Sequence, residues 1–255
     1  MRRRFFTDRF DSDSAILRGD TAEHLGRVLR AEPGQLYELS DGERVWLARV
    51  DKVSSSKRSG SQIEFTLMEE IEVREAALRI QLLISLVKFD RFEWCLEKAT
   101  ELGVTEIVVL AAARTDKPLL AAVPKRRARW EKILMESAQQ SRRLRPPVLR
   151  TELAGTRGGK LHGAIRPKEA FAQTSAACKL VLSERADAKL MRDALSVYAE
   201  PSASLAIGPE GGWTDEELAA ACASGFAEAS LGQNILRTET AVVAALAILG
   251  FTLGE

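Results

Sequence analysis

Short runs in which apolar and polar residues alternate dominate the first part of the chain. The runs whose period of two predicts strands cover residues 28–29, 35–39, 45–50 and 63–67. Pro33-Gly34 and Asp41-Gly42 separate them as turns, and the polar stretch 54–60 is expected to form a loop between two strands. The pattern therefore predicts a small β-rich unit over residues 1–72.

From residue 78 onward, short apolar runs alternate with longer segments of helical periodicity. The predicted strands cover residues 80–87, 107–110, 180–182 and 205–207. The predicted helices cover residues 91–102, a segment that begins at Pro124, and residues 215–224 and 239–249. Asp90 with Glu93 is expected to cap the first of these helices, and Gly103 to end it. Strands that alternate with helices predict an α/β domain with a mostly parallel sheet.

Two loops in the last fifth of the chain carry the strongest local signal. Gly-Pro-Glu-Gly-Gly at residues 208–212 follows a predicted strand, and Thr214 with Glu217 forms a capping box for the next helix. Residues 231–241 lead into the apolar helix near the end of the chain. Loops that leave a strand and enter a helix gather at the carboxyl edge of a parallel sheet, so these two predict a ligand pocket there. The glycines allow the backbone to approach a ligand closely.

Arg237 has an unfavourable position for a cation. It stands at the start of the predicted C-terminal helix, where the macrodipole disfavours positive charge by roughly 0.3–1 kcal/mol. Stability does not explain that choice, so Arg237 is expected to face a ligand or a polyanion. The alternative is that Arg237 only pairs with Glu239 or Glu210.

The composition is that of an ordinary soluble globular protein. The 255 residues are 45% hydrophobic and 29% charged, and none of the apolar runs approaches the ~20 residues of a membrane span. Residues 1–6 begin like a signal peptide, but Asp8, Asp11 and Asp13 follow where an apolar segment would stand. The expected location is the cytoplasm.

Cysteine and histidine usage argues against a metal centre or a disulfide framework. Cys95, Cys178 and Cys222 are far apart in the sequence, and the chain has only two histidines. Cys95 falls within a core-facing helical pattern, which favours packing over a nucleophilic role. The sequence also has no P-loop, no dinucleotide fingerprint and no hydrolase elbow.

Basic residues are clustered although the formal net charge is only +1. Residues 125–145 contain eight lysines and arginines against two acids, and a second basic cluster lies within residues 2–9. Clusters of this kind are typical of phosphate contacts with nucleic acid. A solvated, charged helix face gives the same pattern.

Several motifs occur together in one order. They are His-Leu-Gly-Arg-Val-Leu-Arg at 24–30 with Pro-Gly-Gln at 33–35, Glu-Lys-Ala-Thr-Glu-Leu-Gly-Val at 97–104, Gln140-Ser141 with Arg143, and the two loops at 208–212 and 231–241. On these motifs the chain resembles the ribosomal RNA small subunit methyltransferase E family, a branch of the SPOUT superfamily, over essentially its whole length. It departs from the family pattern at Asn234, where an arginine is usual, and at Arg142, where a small residue is common.

The resemblance implies an α/β protein with two domains. The expected domains are an RNA-binding, PUA-like β-barrel over residues 1–72 and a SPOUT methyltransferase domain with a deep trefoil knot over residues 73–255. It also implies S-adenosyl-L-methionine as cofactor, a homodimer that completes the active site, and 16S rRNA or the small ribosomal subunit as partner. The implied reaction is methylation of N3 of a uridine near the decoding site. The alternatives are ribose 2′-O methylation and a non-catalytic RNA-binding protein.

Site residues follow from the motifs and the resemblance. The expected catalytic residues are Arg237, Arg143 and Glu239, with Glu239 or Glu210 as possible general bases. The expected cofactor-binding residues are Leu182, Ser183, Glu184, Gly208, Pro209, Glu210, Gly211, Gly212, Leu231, Gly232, Ile235, Leu236, Arg237, Thr238, Thr240 and Ala241. The expected RNA-binding residues are Arg4, His24, Arg27, Arg30, Lys88, Arg126, Arg127, Arg129, Arg142 and Arg143.

Overall fold

The computed structural model describes residues 3–56, 60–73, 77–152 and 163–254. They form two compact units, the first comprising Met1–Glu75 and Ala138–Pro146, and the second Ala76–Ser137 and Pro147–Glu255. The sequence predicts a division near residue 72, but not the inclusion of residues 138–146 in the first unit.

The first unit is built on one mixed sheet. Its elements are β1 (Arg4–Phe6), β2 (Ser14–Arg18), α1 (Gly19–Glu23), a π-helical turn (His24–Val28), β3 (Leu36–Ser40), β4 (Val45–Ser56) and β5 (Gly60–Ile71). The five strands are ordered β1-β3-β4-β5-β2, with β1 parallel to β3 and the other pairs antiparallel. Inward-facing residues such as Phe5, Leu39 and Phe65 form its core.

Two predictions for this unit need correction. The strand predicted at residues 28–29 is wrong, because Val28 ends the π-helical turn and is 64% exposed, while Leu25 of the same turn is buried. The predicted loop at residues 54–60 is shorter in the structure, since Ser54–Ser56 still belong to β4 and Gly60 begins β5. Residues 57–59 lie outside the described part of the chain.

The second unit is an α/β structure around a parallel sheet, as predicted. Its strands are β6 (Arg79–Ser85), β7 (Val104–Leu110), β8 (Val148–Arg150), β9 (Cys178–Leu182), β10 (Lys189–Leu190), β11 (Ser202–Ile207) and β12 (Ala227–Ser230). Its helices are α2 (Phe89–Glu101), α3 (Lys117–Gln140, of which residues 138–140 belong to the first unit), α4 (Pro167–Gln173), α5 (Met191–Leu195), α6 (Asp215–Ala223) and α7 (Thr238–Leu253). The seven strands run in the order β10-β12-β9-β11-β6-β7-β8, and every strand pair is parallel.

Apolar side chains fill both faces of the parallel sheet. Strand residues such as Leu82 and Leu205 belong to one core cluster with helix residues, and Leu83 and Ala206 belong to a second. Strands buried on two faces read as continuous apolar runs, which is why β6, β7, β9 and β11 could be predicted from the sequence. The short strands β8, β10 and β12 carry no such run and were not predicted.

The helix predicted to begin at Pro124 begins earlier, at Lys117, so Pro124 lies inside α3. Proline is unfavourable within a helix because it lacks an N–H group and its ring crowds the preceding turn. Leu120 and Val123 are buried against the core, and this packing stabilises the turns that precede the proline.

Capping predictions had mixed outcomes. The capping box of α6 is confirmed, since the Glu217 N–H donates to Thr214 Oγ1 at 3.2 Å and the Thr214 N–H donates to Glu217 Oε2 at 2.9 Å. The cap predicted for Asp90 is wrong: α2 begins at Phe89 behind Lys88, without a side-chain cap, and Asp90 lies in its first turn.

Two glycines, one directly after a helix and one inside a helix, permit a matched test of stability. Gly103, which follows α2, has a φ of +88°, and no atom lies within 4 Å of a Cβ built there. Gly103→Ala should therefore lower the free energy of unfolding by about 1 kcal/mol through backbone strain alone. Gly250→Ala lies inside α7, in equally open space, and should raise it by about 0.5–1 kcal/mol. Urea unfolding of both variants measures the difference, and equal signs would contradict the assignment of Gly103 as the helix stop.

Candidate cofactor site

Three neighbouring strands of the parallel sheet deliver their loops to one edge. β12, β9 and β11 are adjacent, and their carboxyl ends lead into residues 231–237, 183–185 and 208–212. A cavity of roughly 720 Å³ lies between these loops. Its size is in the range of small-molecule sites, and its place at the carboxyl edge is the one predicted from the sequence.

The cavity brings together the predicted cofactor residues with one exception. The predicted residues that line it are Leu182, Ser183, Glu184, Gly208, Pro209, Glu210, Gly211, Gly212, Leu231, Gly232, Ile235, Leu236, Arg237, Thr238 and Ala241. Thr240 is not part of the lining: Thr238 and Ala241, three positions apart, share the face of α7 that lines the cavity, and Thr240 does not lie on that face. The lining residues outside the predicted loops are Arg114, Arg185, Ile207, Trp213, Asp215 and Leu218. Gln233 and Asn234 also line the cavity, and they lie within the predicted loop 231–241 although they were not named as cofactor-binding residues. Arg114 follows β7, so the same carboxyl-edge rule could have found it.

Trp213 joins two of the three loops. Its indole N–H donates to the carbonyl of Leu182 at 2.9 Å, and its ring would lie 3.1 Å from a Cβ built on Gly208. A side chain at position 208 would therefore displace the tryptophan. This contact within the protein favours glycine at position 208.

Arg114 contacts loop 208–212, the glycine loop, at Gly211. Its guanidinium donates to the carbonyl of Gly211 at 2.7 Å, and its Cβ would lie 3.2 Å from a Cβ built on Gly211. Gly212 has a φ of +71°, which favours glycine at this position. Side-chain contacts at 208 and 211, together with backbone conformation at 212, account for the three glycines.

Arg237 lines the cavity and is exposed. It is the N-cap residue of α7, and its side chain makes no capping hydrogen bond. Within the described residues no carboxylate lies within ion-pair distance of its guanidinium, because Glu210 and Glu239 both pair with Arg91 of α2. The simple ion-pair explanation for Arg237 is therefore wrong.

Glu239 faces away from the cavity. It is absent from the lining, its Oε1 lies 3.8 Å from Arg91 Nε, and its Oε2 is buried without a hydrogen-bond partner among the described residues. This position argues against the predicted catalytic role, because a general base must reach the proton that it removes. Glu210 does line the cavity, and its Oε1 lies 3.3 Å from Arg91 Nη1.

Arginines predicted to contact RNA are engaged within the protein. Arg129 donates two hydrogen bonds to Glu93 at 2.8 Å each, and Arg126 pairs with the same carboxylate at 3.4 Å. Arg127 pairs with Glu131 at 2.9 Å, one turn along α3. These pairs favour the alternative of a charged helix face, although partly exposed guanidinium groups can still contact phosphates.

Arg4 is buried, which argues against a phosphate contact. Its Nε and Nη2 donate to Glu38 Oε2 at 3.1 and 2.9 Å, and its Nη1 donates to the carbonyl of Arg142 at 2.6 Å. Side-chain exposures of 6% and 9% for Arg4 and Glu38 identify a buried ion pair that holds residues 138–146 within the first unit.

The remaining predicted RNA residues lie in both units. The exposed ones in the first unit are His24, Arg27, Arg30 and Arg142, and Lys88 is exposed before α2 in the second. Arg30 and Arg142 have positive φ angles of 52° and 54°. Arg143, the other predicted catalytic arginine, is half-buried in the first unit, so its role stays a prediction.

The described residues hold neither a membrane-spanning helix nor a metal cluster. Within residues 3–56, 60–73, 77–152 and 163–254, no helix combines the length and apolarity that crossing a bilayer requires. The same residues contain no group of three or more His, Cys, Asp or Glu side chains that could hold a metal ion.

Comparison with known proteins defines the class. Residues 74–250 match the RNA methyltransferase domain, so the parallel unit is of the RNA methyltransferase class. Ribosomal RNA small subunit methyltransferase E of Synechocystis sp. is 34% identical over 226 residues, which cover 88% of this chain and 68% of that protein. The Mycobacterium bovis protein of the same name is 30% identical over 239 residues, 92% of this chain and 86% of that one. The chain belongs to the ribosomal RNA small subunit methyltransferase E family.

Solved structures of similar proteins contain the cofactor. A ribosomal RNA small subunit methyltransferase E from Neisseria gonorrhoeae, bound to S-adenosyl methionine, is 30% identical with a TM-score of 0.82 and covers 100% of this chain and 99% of its own. A methyltransferase structure from Legionella pneumophila, also with the bound cofactor, is 29% identical with the same TM-score and coverage.

Cysteine reactivity tests the packing behind this site. Burial, and after it the charge of Glu239, raises the pKa of the Cys95 thiol to about 12, and burial raises the pKa of Cys178 to about 11. Cys222 is exposed. At pH 8 iodoacetamide should alkylate only Cys222 in the native protein and all three cysteines in urea, as measured by peptide mass spectrometry. Alkylation of native Cys95 at the rate of Cys222 would contradict its position.

Proposed function

We propose that this protein transfers the methyl group of S-adenosylmethionine to N3 of a uridine near the decoding site of 16S rRNA. The cofactor is the one bound in the Neisseria and Legionella structures, and the small-subunit substrate is the one in the relatives' names. The observation that carries the proposal is Arg237, an exposed cation with no carboxylate partner among the described residues, on the rim of a cavity of suitable size.

The cavity offers groups that suit this cofactor. Leu182, Ile207 and Leu236 provide apolar surface, and loop 208–212 itself lines the cavity. The lining also carries both signs of charge, which fits a ligand with a carboxylate, an ammonium and a sulfonium group. The cofactor supplies the electrophilic methyl group when it is bound.

Methyl transfer to uridine N3 has a simple requirement for charge. The N3 lone pair forms the bond to the methyl carbon, and the carbon–sulfur bond breaks with its electron pair left on sulfur. The N3 proton passes to a base, and Glu210 is the predicted base that lines the cavity. Loss of that proton puts negative charge on O2 and O4 of the base, which nearby cations can stabilise. Arg237 and Arg114 are the cavity-lining arginines for which the described residues offer no carboxylate partner. We assign this stabilising role to Arg237 first, because its guanidinium makes no hydrogen bond within the described residues, whereas Arg114 donates to Gly211.

Binding of RNA and assembly are further parts of the proposal. The family resemblance supports a PUA-like role in RNA binding for the first unit and a trefoil knot in the second. A homodimer is supported by two bulky apolar side chains in water: Phe251 of α7 is 92% exposed, and Ile235 of the cavity loop is 76% exposed. A second copy would remove such surface from water.

One experiment separates the proposal from its alternatives. Mass spectrometry of small-subunit rRNA from a strain that lacks this protein should show loss of 3-methyluridine, and complementation should restore it. Loss of a ribose methyl group instead would favour the 2′-O alternative, and no loss of methylation would favour a non-catalytic RNA-binding protein.

Arg237→Ala tests the assigned residue. Turnover in single-turnover methyl transfer to small subunits should fall by about one to three orders of magnitude, as expected for a lost transition-state donor. The melting temperature should stay equal or rise, because the charge opposes the dipole of α7. Affinity for S-adenosylmethionine should change far less, because the reacting end of the cofactor is itself cationic.

Arg192→Ala is the matched control for this prediction. Arg192 is an exposed arginine on α5, outside the cavity lining, and its removal should leave both rate and affinity unchanged. Full activity of Arg237→Ala with lowered stability would show that Arg237 is structural.

A further inference from the structure

Arg91 lies outside the cavity and contacts both of the segments that the sequence analysis marks as the ligand site. It lies on α2, which contributes no residue to the cavity lining. Its guanidinium lies between two carboxylates, with Nη1 at 3.3 Å from Glu210 Oε1 and Nε at 3.8 Å from Glu239 Oε1. One cation therefore contacts both loops that the sequence analysis marks as the ligand site.

The two carboxylates are the only acids of their segments. Glu210 is the single acidic residue of loop 208–212, and Glu239 is the single acidic residue of segment 231–241. Without a cation between them they would repel each other, and each could turn toward another positive group. Arg237 precedes Glu239 by two residues and is the nearest such group along the chain.

The two contacts differ in kind: the Arg91–Glu210 contact is a hydrogen bond, whereas the longer Arg91–Glu239 contact is the more buried of the two. The side chains of Arg91 and Glu239 are 29% and 19% exposed, whereas Glu210 is 42% exposed and its pair is more screened by solvent. Glu239 Oε2 is buried and has no hydrogen-bond partner among the described residues, so loss of Arg91 would leave this carboxylate poorly compensated.

We propose that Arg91 is a positioning residue for methyl transfer. Through its contacts with Glu210 and Glu239, it keeps the distance between loop 208–212 and the start of α7 constant. By occupying these carboxylates it also keeps the Arg237 guanidinium available to the substrate. The inference rests on the proposed function, in that the cavity between these loops binds S-adenosylmethionine.

Charge-restoring variants test this role. Arg91→Met should lower kcat by about 10- to 100-fold, the scale expected when a reacting group is displaced by about 1 Å. Arg91→Lys should retain most of the activity, because an ammonium group can still lie between the carboxylates. The double variant Arg91→Met/Glu239→Gln should recover part of the lost kcat. It removes the Glu239 carboxylate, which would otherwise form an ion pair with Arg237. Arg192→Met is the control for loss of an arginine on another helix of the same unit.

The measurements are kcat and KM for methylation of small subunits, the Kd for S-adenosylmethionine by calorimetry, and the melting temperature. A loss of kcat in folded Arg91→Met with an unchanged melting temperature, reversed by Arg91→Lys and by Glu239→Gln, supports positioning. If the loss came from stability alone, the melting temperature would fall in Arg91→Met and would recover together with kcat when the uncompensated Glu239 charge is removed. Arg91→Met kinetics equal to those of Arg192→Met, or a loss that neither second change reverses, would overturn the proposal.

Two controls keep the outcomes distinct. Where Arg91→Met does not fold, Arg91→Gln with and without Glu239→Gln replaces it in the same comparison. Failure of the wild-type protein to bind S-adenosylmethionine would refute the proposed function itself. Normal wild-type activity with an inert Arg91→Met change would refute only the role of Arg91.

Discussion

The parallel pairing of β9 with both β11 and β12 is the constraint on which the site depends. It places three strand ends side by side although their loops begin near residues 183, 208 and 231 of the chain. Parallel strands end at the same edge, so every loop after these strands opens to one cavity. The core that holds the pairing is apolar on both faces of the sheet, and it requires no polar residue from the site.

Charge placement around the cavity follows from pairing between elements. α2 supplies Arg91, which pairs with Glu210 of the glycine loop and Glu239 of α7. It also supplies Glu93, which pairs with Arg126 and Arg129 of α3. Most of the conspicuous charges in this region are therefore used within the protein. Arg237 differs from them, because the described residues offer it no carboxylate and it faces the cavity. Under the proposed function this exposed cation contacts the substrate base, which would explain a charge at an unfavourable helix position.

Local features of the sequence predicted some of the local structure, and they failed at the Asp90 cap and at residues 28–29. The Thr214–Glu217 capping box and the Gly103 helix stop depend on neighbouring residues, and both occur in the structure. The start of α3 was wrong because burial of Leu120 and Val123 outweighs the local effect of Pro124.

The position of the loops that form the site could be predicted from the sequence, but the ion-pair partners of its charged residues could not. The loops could be located because strand ends share an edge, and Arg114 could have been found by the same rule. The roles of Glu239 and Arg126 could not, since their partners Arg91 and Glu93 lie 148 and 33 residues away in the chain. No period or motif indicates which acid meets which base across such distances. Arg4 was misinterpreted for the same reason, because its partner Glu38 is 34 residues away.

A crystal structure of this protein with S-adenosylmethionine tests the central claim most directly. The account predicts difference density for the cofactor between residues 182–184, 208–212 and 231–241, with the methyl group directed toward the side of the cavity that Arg237 lines. A second cavity lies at the opposite, amino edge of the sheet, lined by Arg79, Gln81 and Ser202 among others. Cofactor density in that cavity, or density between the three loops that leaves Arg237 remote from the methyl group, would contradict the account.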